Sequence, residues 1–190
     1  MFILFKFKKT LKSIKNICYK KQKCCFYRYD DAVEIPSENF DTHITVYSSY
    51  AAIPLNYRVV TVPSSWRSKA YYRLKNGTAK LLCYSENGIS LDAYGWICDL
   101  SIFRHQFGLL AHTGTMLGFY WTCPSARGRG LYGKLLIHSL AIGSKKLPIL
   151  IYTSPENIYS QRGIEKANFK PIGVFEFSLW FTFYGKLKKL

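Results

Sequence analysis

Residues 115–184 switch repeatedly between strand-like and helix-like apolar patterns, and that alternation restricts the fold more than any other feature of the chain. Residues 115–123 form a β-rich run and 124–133 a glycine-rich stretch. Leu135, Leu136, Leu140 and Ala141 then recur at helical spacing as far as Gly143. Residues 148–153 are short and very apolar, the mark of a strand buried on both faces. Residues 157–168 read as a helix and 169–184 as one or two strands. Strand, helix, strand, helix, strand requires crossover connections, and so an α/β sheet with helices laid on it. Upstream, 79–85 and 89–100 are apolar runs around Glu86-Asn87-Gly88, which predicts a hairpin. Residues 42–50 and 56–62 are β-rich. Pro63 with Ser64 or Ser65 predicts the cap of a helix that carries Trp66, Ala70, Tyr71 and Leu74 and stops at Asn76-Gly77. Residues 101–113 fit neither period.

With 48% hydrophobic and 17% aromatic residues in 190, the chain can bury one core, which excludes wholesale disorder. Its six Cys contain no C-x-x-C pair and no regular spacing, so neither a zinc knuckle nor a disulfide scaffold is indicated; reduced thiols are expected, and no metal. The net charge of +16 is concentrated at the ends. Residues 1–29 hold nine Lys or Arg and no acid, and Lys186, Lys188 and Lys189 stand in the last five positions. We therefore expect a basic N-terminal extension over 1–29, a linker over 30–41 rich in acids and turn formers, and a domain over 42–190. The extension has three readings: a solvated tail, an anionic membrane surface, or nucleic acid. Phe2, Ile3, Leu4, Phe5 and Phe7 supply an apolar anchor, and Leu11, Ile14 and Cys18 recur at helical spacing between lysines, which places the membrane above nucleic acid. No apolar run approaches the roughly 20 residues needed to span a bilayer, and lysine interrupts the start from Lys6 onward, unlike an export signal. The expected location is the cytoplasm, with a peripheral position at the inner membrane face as the variant.

The stretch from Pro124 to Gly133 carries the chemistry. A strand enters it and an amphipathic helix leaves it. Glycines at such a junction let backbone N–H groups converge, and the first-turn donors of the helix add the positive end of its dipole. That is an anion cradle fit for a diphosphate, and Arg127 and Arg129 add charge. The other reading is a tight connection and nothing more. The stretch is neither a Walker loop nor the dinucleotide G-x-G-x-x-G.

Arg127-Gly128-Arg129-Gly130 after a strand resembles the pyrophosphate loop of the GNAT superfamily of acyl-CoA N-acyltransferases, and Asn157, Ser160, Glu165, Lys166 and Phe169 fit that family's downstream spacing. The resemblance covers about residues 115–175. It implies a mixed, largely antiparallel sheet with a splayed parallel strand pair, flanked by helices. It also implies acetyl-CoA, or another acyl-CoA, as co-substrate, held in the gap between 115–123 and 148–153. Trp121 and Thr122 would hold the pantetheine arm and polarise the thioester. Amides of Arg129, Gly130, Leu131, Tyr132 and Gly133, beside Arg127 and Gly128, would take the diphosphate; Asn157 and Ser160 would lie near the pantetheine. The acceptor would be a small-molecule amine, and Ser-Gln-Arg-Gly-Ile-Glu at 160–165 resembles members tied to amino sugars and surface polysaccharides. Tyr132 and Asn168 stand where the family has small residues, and Ile164 where it has its acidic tyrosine. Tyr159 is the substitute candidate for the acid. Asp99, His105 and His112, with Glu86 and Asp92, are the candidates for the base. His138, inside a helix, and Cys123 read as packing. A non-catalytic acyl-CoA binder, or a basic protein for membranes or nucleic acid, is the alternative.

Overall fold

A computed structural model describes residues 19–31, 41–62, 67–180, 183–184 and 187–190. Its sheet runs in the order β2 (Ile44–Tyr47), β3 (Ala79–Tyr84), β4 (Ala93–Asp99), β5 (Thr115–Thr122), β6 (Ile149–Thr153), β1 (Tyr19–Tyr29), β7 (Lys170–Trp180) and β8 (Phe183–Tyr184), with β9 (Lys188–Lys189) on β7. Among the described residues every pairing is antiparallel except β5 with β6.

Helices cover both faces. On the first lie α1 (Leu55–Thr61), α2 (Arg67–Lys75) and α3 (Arg104–Phe107), the last preceded by the 3-10 turn Leu100–Phe103. On the second lie α4 (Leu131–Gly143) and α5 (Ile158–Lys166). This explains why β6 begins with three apolar residues: Leu150 joins the first core, Ile149 and Ile151 the second. Leu131, Leu135, Leu136 and Leu140 fasten α4 at i, i+4, i+5 and i+9, each worth about 1.5–3 kcal/mol of burial.

Two expectations meet a different outcome. Residues 56–61 lie in α1 and Val62 is its C-cap, so the run is a helix rather than a strand. Pro54, with φ −55°, starts it, and Tyr57 and Thr61, four apart, face the core while Val59 stays outside. The helical period of buried residues overrides the β-branched composition. The N-terminal run also does not stand apart as an extension over its whole length, because Tyr19–Tyr29 is an eleven-residue strand between β6 and β7. Cys24 and Phe26 enter the first core and Tyr27 and Tyr29 the second, a period-two alternation masked by the lysine count. Lys21 pairs with Glu176 on β7 at 2.8 Å. The expected anchor residues up to Cys18, the cap at Pro63–Ser65, Trp66, most of the 30–41 linker and Lys186 lie outside the described residues.

Candidate functional site

Strands β5 and β6 share only Thr115↔Ile149, Met116↔Leu150 and Leu117↔Ile151. Beyond Leu117, β5 continues beside β4 and leaves β6, so the β6-facing edge of 118–122 is open to a ligand that pairs like a strand. On the other side the register shifts: Trp96 opposes Gly118 while Tyr94 opposes Trp121, which puts one extra residue on β5. Phe119 absorbs it at φ 55°, a left-handed conformation that costs a side-chain-bearing residue about 1–2 kcal/mol. The bulge is held by what surrounds it. The Tyr120 ring crosses Gly95, where an added Cβ would run into it. Its hydroxyl donates to Ser139 Oγ of α4 at 2.7 Å, and the ring meets Tyr132 edge-on at 5.3 Å. Trp121 stacks on Tyr94.

At the end of the diverging strand stands the glycine-rich turn. Pro124–Ala126 makes a 3-10 turn that buries Ala126; Gly128 and Gly130 then take φ 80° and 74°, and α4 begins. The first bond closing α4 runs from Lys134 N–H to Gly130 O, 3.1 Å. Among the described residues, no protein oxygen accepts from the amides of Gly128 to Gly133. A Cβ added at Gly128, Gly130 or Gly133 would meet nothing within 4 Å. The turn is therefore an open set of N–H donors at a helix N-terminus, which fits a diphosphate. Arg127 is exposed, Arg129 is paired with Glu86 of the β3–β4 turn, and Lys134 reaches Asp41 at 2.8 Å.

The remaining expected residues fall in different places. Asn157 caps α5, its Oδ1 accepting from Ser160 N–H at 3.1 Å. Tyr132 sits over Gly163 of α5, and its phenol is pushed up chiefly by burial. Tyr159 is 87% exposed, and Ile164 is wholly buried in the second core. Asp99 lies at the far end of β4, opposite Thr115, where it accepts from Ser101 N–H and pairs with Lys146 at 2.7 Å. Burial works to raise its pKa, yet these bonds hold the carboxyl below its ordinary value. Asp92 accepts from Glu86 N–H at 2.9 Å. His112 is exposed in the turn before β5, beside Gly108. His138 accepts from Asp41 N–H at 2.9 Å, and burial lowers its pKa. Cys123 Sγ lies 3.2 Å from Ser125 Oγ. Burial pushes Cys24 and Cys83 up to about 12 and Cys98 up to about 11, which leaves these thiols unreactive near neutrality.

His105 differs from the other candidate bases, since it lines a cavity of about 350 Å³ on the first face. One wall is Met116–Phe119 of β5 with Tyr152 of β6, the strands at the point where they part. The opposite wall is Lys69 and Arg73 of α2, with Phe103 and Gln106. Sequence reading missed this wall. The four-residue spacing of Lys69 and Arg73 on a helix was the available signal.

No protein-family model matches the sequence, and no curated protein matches it. Solved structures do. A GNAT-family protein from Novosphingobium aromaticivorans superposes with a TM-score of 0.58 at 13% identity, covering 90% of this chain and 66% of that one. A GCN5-related N-acetyltransferase from Sphaerobacter thermophilus gives 0.52 at 12%, covering 96% and 56%. A GCN5-related glucosamine N-acetyltransferase region of a fungal multi-domain β-N-acetylglucosaminidase gives 0.54 at 10%, covering 91% and 22%. The chain spans two thirds or less of each of these proteins, and at such identities the likeness is one of fold: a GNAT-type mixed sheet in which the parallel pair β5–β6 parts before a glycine turn.

Proposed function

We propose that the chain is an acyl-CoA-dependent N-acyltransferase that moves an acyl group, most simply acetyl, from the CoA thioester to an amine. The observation that carries the reading is the junction of a parting parallel pair with an amide cradle left open at the N-terminus of α4. Amides from Gly128 to Gly133 hold the diphosphate. The open edge around Trp121 and Thr122 pairs with the pantetheine amides and donates to the thioester oxygen, where one such donor is worth about 3–4 kcal/mol in the transition state. The bound acyl-CoA would supply an activated acyl carbonyl, with CoA thiolate as the leaving group.

The acceptor enters from the cavity beside Phe119 and Tyr152. Attack by the neutral amine forms the C–N bond and breaks the C–S bond. The surplus proton of the nitrogen passes to His105 or a water it orients, because Asp99 is engaged by Lys146 and His112 does not line the cavity. With Ile164 buried, the Tyr120 phenol bonded to Ser139 and the Tyr132 ring packed on Gly163, the thiolate takes its proton from solvent. An amino sugar is the finer acceptor assignment. It is supported by the 160–165 stretch and by a neighbour described as a glucosamine N-acetyltransferase region. Working in the cytoplasm, with residues 1–18 against the inner membrane face, suits a lipid-linked acceptor.

Calorimetry with CoA tests the cradle, and thiol release with amine acceptors tests the transfer. Failure to bind at high micromolar CoA overturns the reading. Binding without release from any amine leaves the non-catalytic CoA binder, the alternative that the buried Ile164 favours.

A further inference from the structure

We propose that the acceptor carries an anionic group, carboxylate or phosphate, alongside its reacting amine, and that the α2–α3 wall of the cavity binds it. The inference rests on the acyltransferase reading and adds a substrate class to it.

The cavity has two unlike walls. The strand wall is apolar and abuts the point where β5 and β6 part. The helix wall carries Lys69 and Arg73, four apart and so on one side of α2, with His105 and Gln106 from α3. No Asp or Glu lines the cavity among the described residues. The sequence accounts for this: no acid occurs between Asp41 and Glu86, a stretch that supplies β2, α1, α2 and β3. Asp99, next in the chain to the lining residue Cys98, faces Lys146 and Ser101 instead. The Arg73 guanidinium is steadied by the Phe103 ring, 4.9 Å below it, and lies beside the Cys98 thiol.

Such a wall sorts amines by charge. A cation entering beside Lys69 and Arg73 is repelled, so polyamines and lysine-like side chains are poor acceptors. An anionic substituent pairs with the helix wall and turns the amine toward the strand wall, where the thioester carbonyl would lie. A guanidinium suits planar carboxylate or phosphate oxygens, and an ammonium adds a mobile point charge. The same field disfavours the ammonium form of the bound acceptor and raises the share of neutral nucleophile. At about 350 Å³ the cavity is at the small end of ligand sites, which suits a single sugar or amino acid rather than a protein surface.

The test begins with calorimetry of CoA on the full chain; no binding overturns the acyltransferase reading, not the charge argument alone. Given binding, thiol release is compared within matched pairs: glucosamine 6-phosphate against glucosamine, 3-aminopropanoate against propylamine, with spermidine as the cationic arm. The two pairs separate phosphate from carboxylate. The expected result is a kcat/KM at least tenfold higher for the anionic member of one pair and no release with spermidine. Lys69→Glu, on an exposed side chain, should abolish that preference through KM while CoA affinity stays the same. Preference for neutral or cationic amines, or a preference untouched by Lys69→Glu, overturns the proposal. If no amine is acylated, calorimetry of glucosamine 6-phosphate on the CoA-loaded protein decides, and absence of heat that Lys69→Glu would remove overturns it.

Discussion

Replacing Gly130 by Ala separates a ligand cradle from a tight turn. Gly130 has φ 74° and nothing within 4 Å of where a Cβ would stand, so the substitution costs backbone strain without a clash. Left-handed backbone costs an alanine about 1–2 kcal/mol, and the stiffer unfolded chain returns a few tenths to 1 kcal/mol, leaving about 1 kcal/mol of destabilisation. For a domain of this size that lowers Tm by about 2–4 °C. Gly77 is the matched control, with φ 66°, nothing within 4 Å, and a place in the turn after α2. Gly77→Ala should lower Tm equally. The two variants should part company in CoA calorimetry. The new methyl at 130 stands in the open space before the α4 amides. Losing one charge-assisted bond, at about 1.5–3 kcal/mol, weakens CoA about 10- to 100-fold. Gly77→Ala should leave it unchanged. Equal Tm losses with equal CoA affinities would refute the cradle and reduce the turn to a connection.

Gly163→Ala places a Cβ 2.7 Å from the Tyr132 ring and should cost about 1–3 kcal/mol by overpacking; combining it with Tyr132→Ala should return part of that loss, read by urea titration. His138 has a pKa lowered by burial, so its contribution to stability is complete above its unfolded pKa, about 6.5, and is lost as pH falls through it. The urea midpoint should therefore drop between pH 7.5 and 5, and less so in His138→Gln. Asp41 acts in a lower window. Burial raises its pKa but the bonds from Lys134 and His43 more than reverse this, so its contribution fades only below about pH 3.9. Glu86→Gln removes the partner of Arg129 and a negative charge beside the cradle; CoA should bind a few-fold tighter at low salt, with the gain gone at about 1 M salt. Deleting residues 1–29 removes Phe26, Tyr27, Tyr29 and Cys24 from the two cores, about 6–12 kcal/mol of burial, so circular dichroism should find the remainder unfolded.

The second half of the fold was legible because its elements have uninterrupted periods. The continuous apolar run of β6 and the spaced leucines of α4 each announce one type of element, and the glycines between β5 and α4 mark their boundary. The hairpin around Asn87-Gly88 was legible from local chemistry: Asn87 Oδ1 accepts from Ile89 and Ser90 N–H groups and Gly88 takes φ 72°. Strand β1 was not, because its lysines lie on the same eleven residues as its alternating core positions and drew the reading toward charge. Helix α1 was not, because β-branched residues fill its exposed side while Tyr57 and Thr61 make the contacts. In the candidate site, the turn with open amides could be read from glycine spacing. The cavity could not, since its walls come from α2, α3, β5 and β6, which are joined only by the fold.

The parting of β5 from β6 needs its own source of stability, because strands that separate forfeit ladder bonds. The structure supplies it from side chains behind the gap. Tyr120 is bonded to Ser139 of α4 and packed on Gly95, and Tyr132 is seated on Gly163 of α5. Two tyrosines thus tie the bulged strand to both helices of the second face. This also accounts for Tyr132 occupying a position where the resemblance leads one to expect a small residue: its ring fills the space that Gly163 leaves. Ile164 then belongs to the same arrangement, since a helix pinned by Tyr132 at Gly163 turns the next residue into the core. The isoleucine at 164 and the tyrosine at 132 are therefore two parts of one packing arrangement, in which the gap is backed by contacts on its far side.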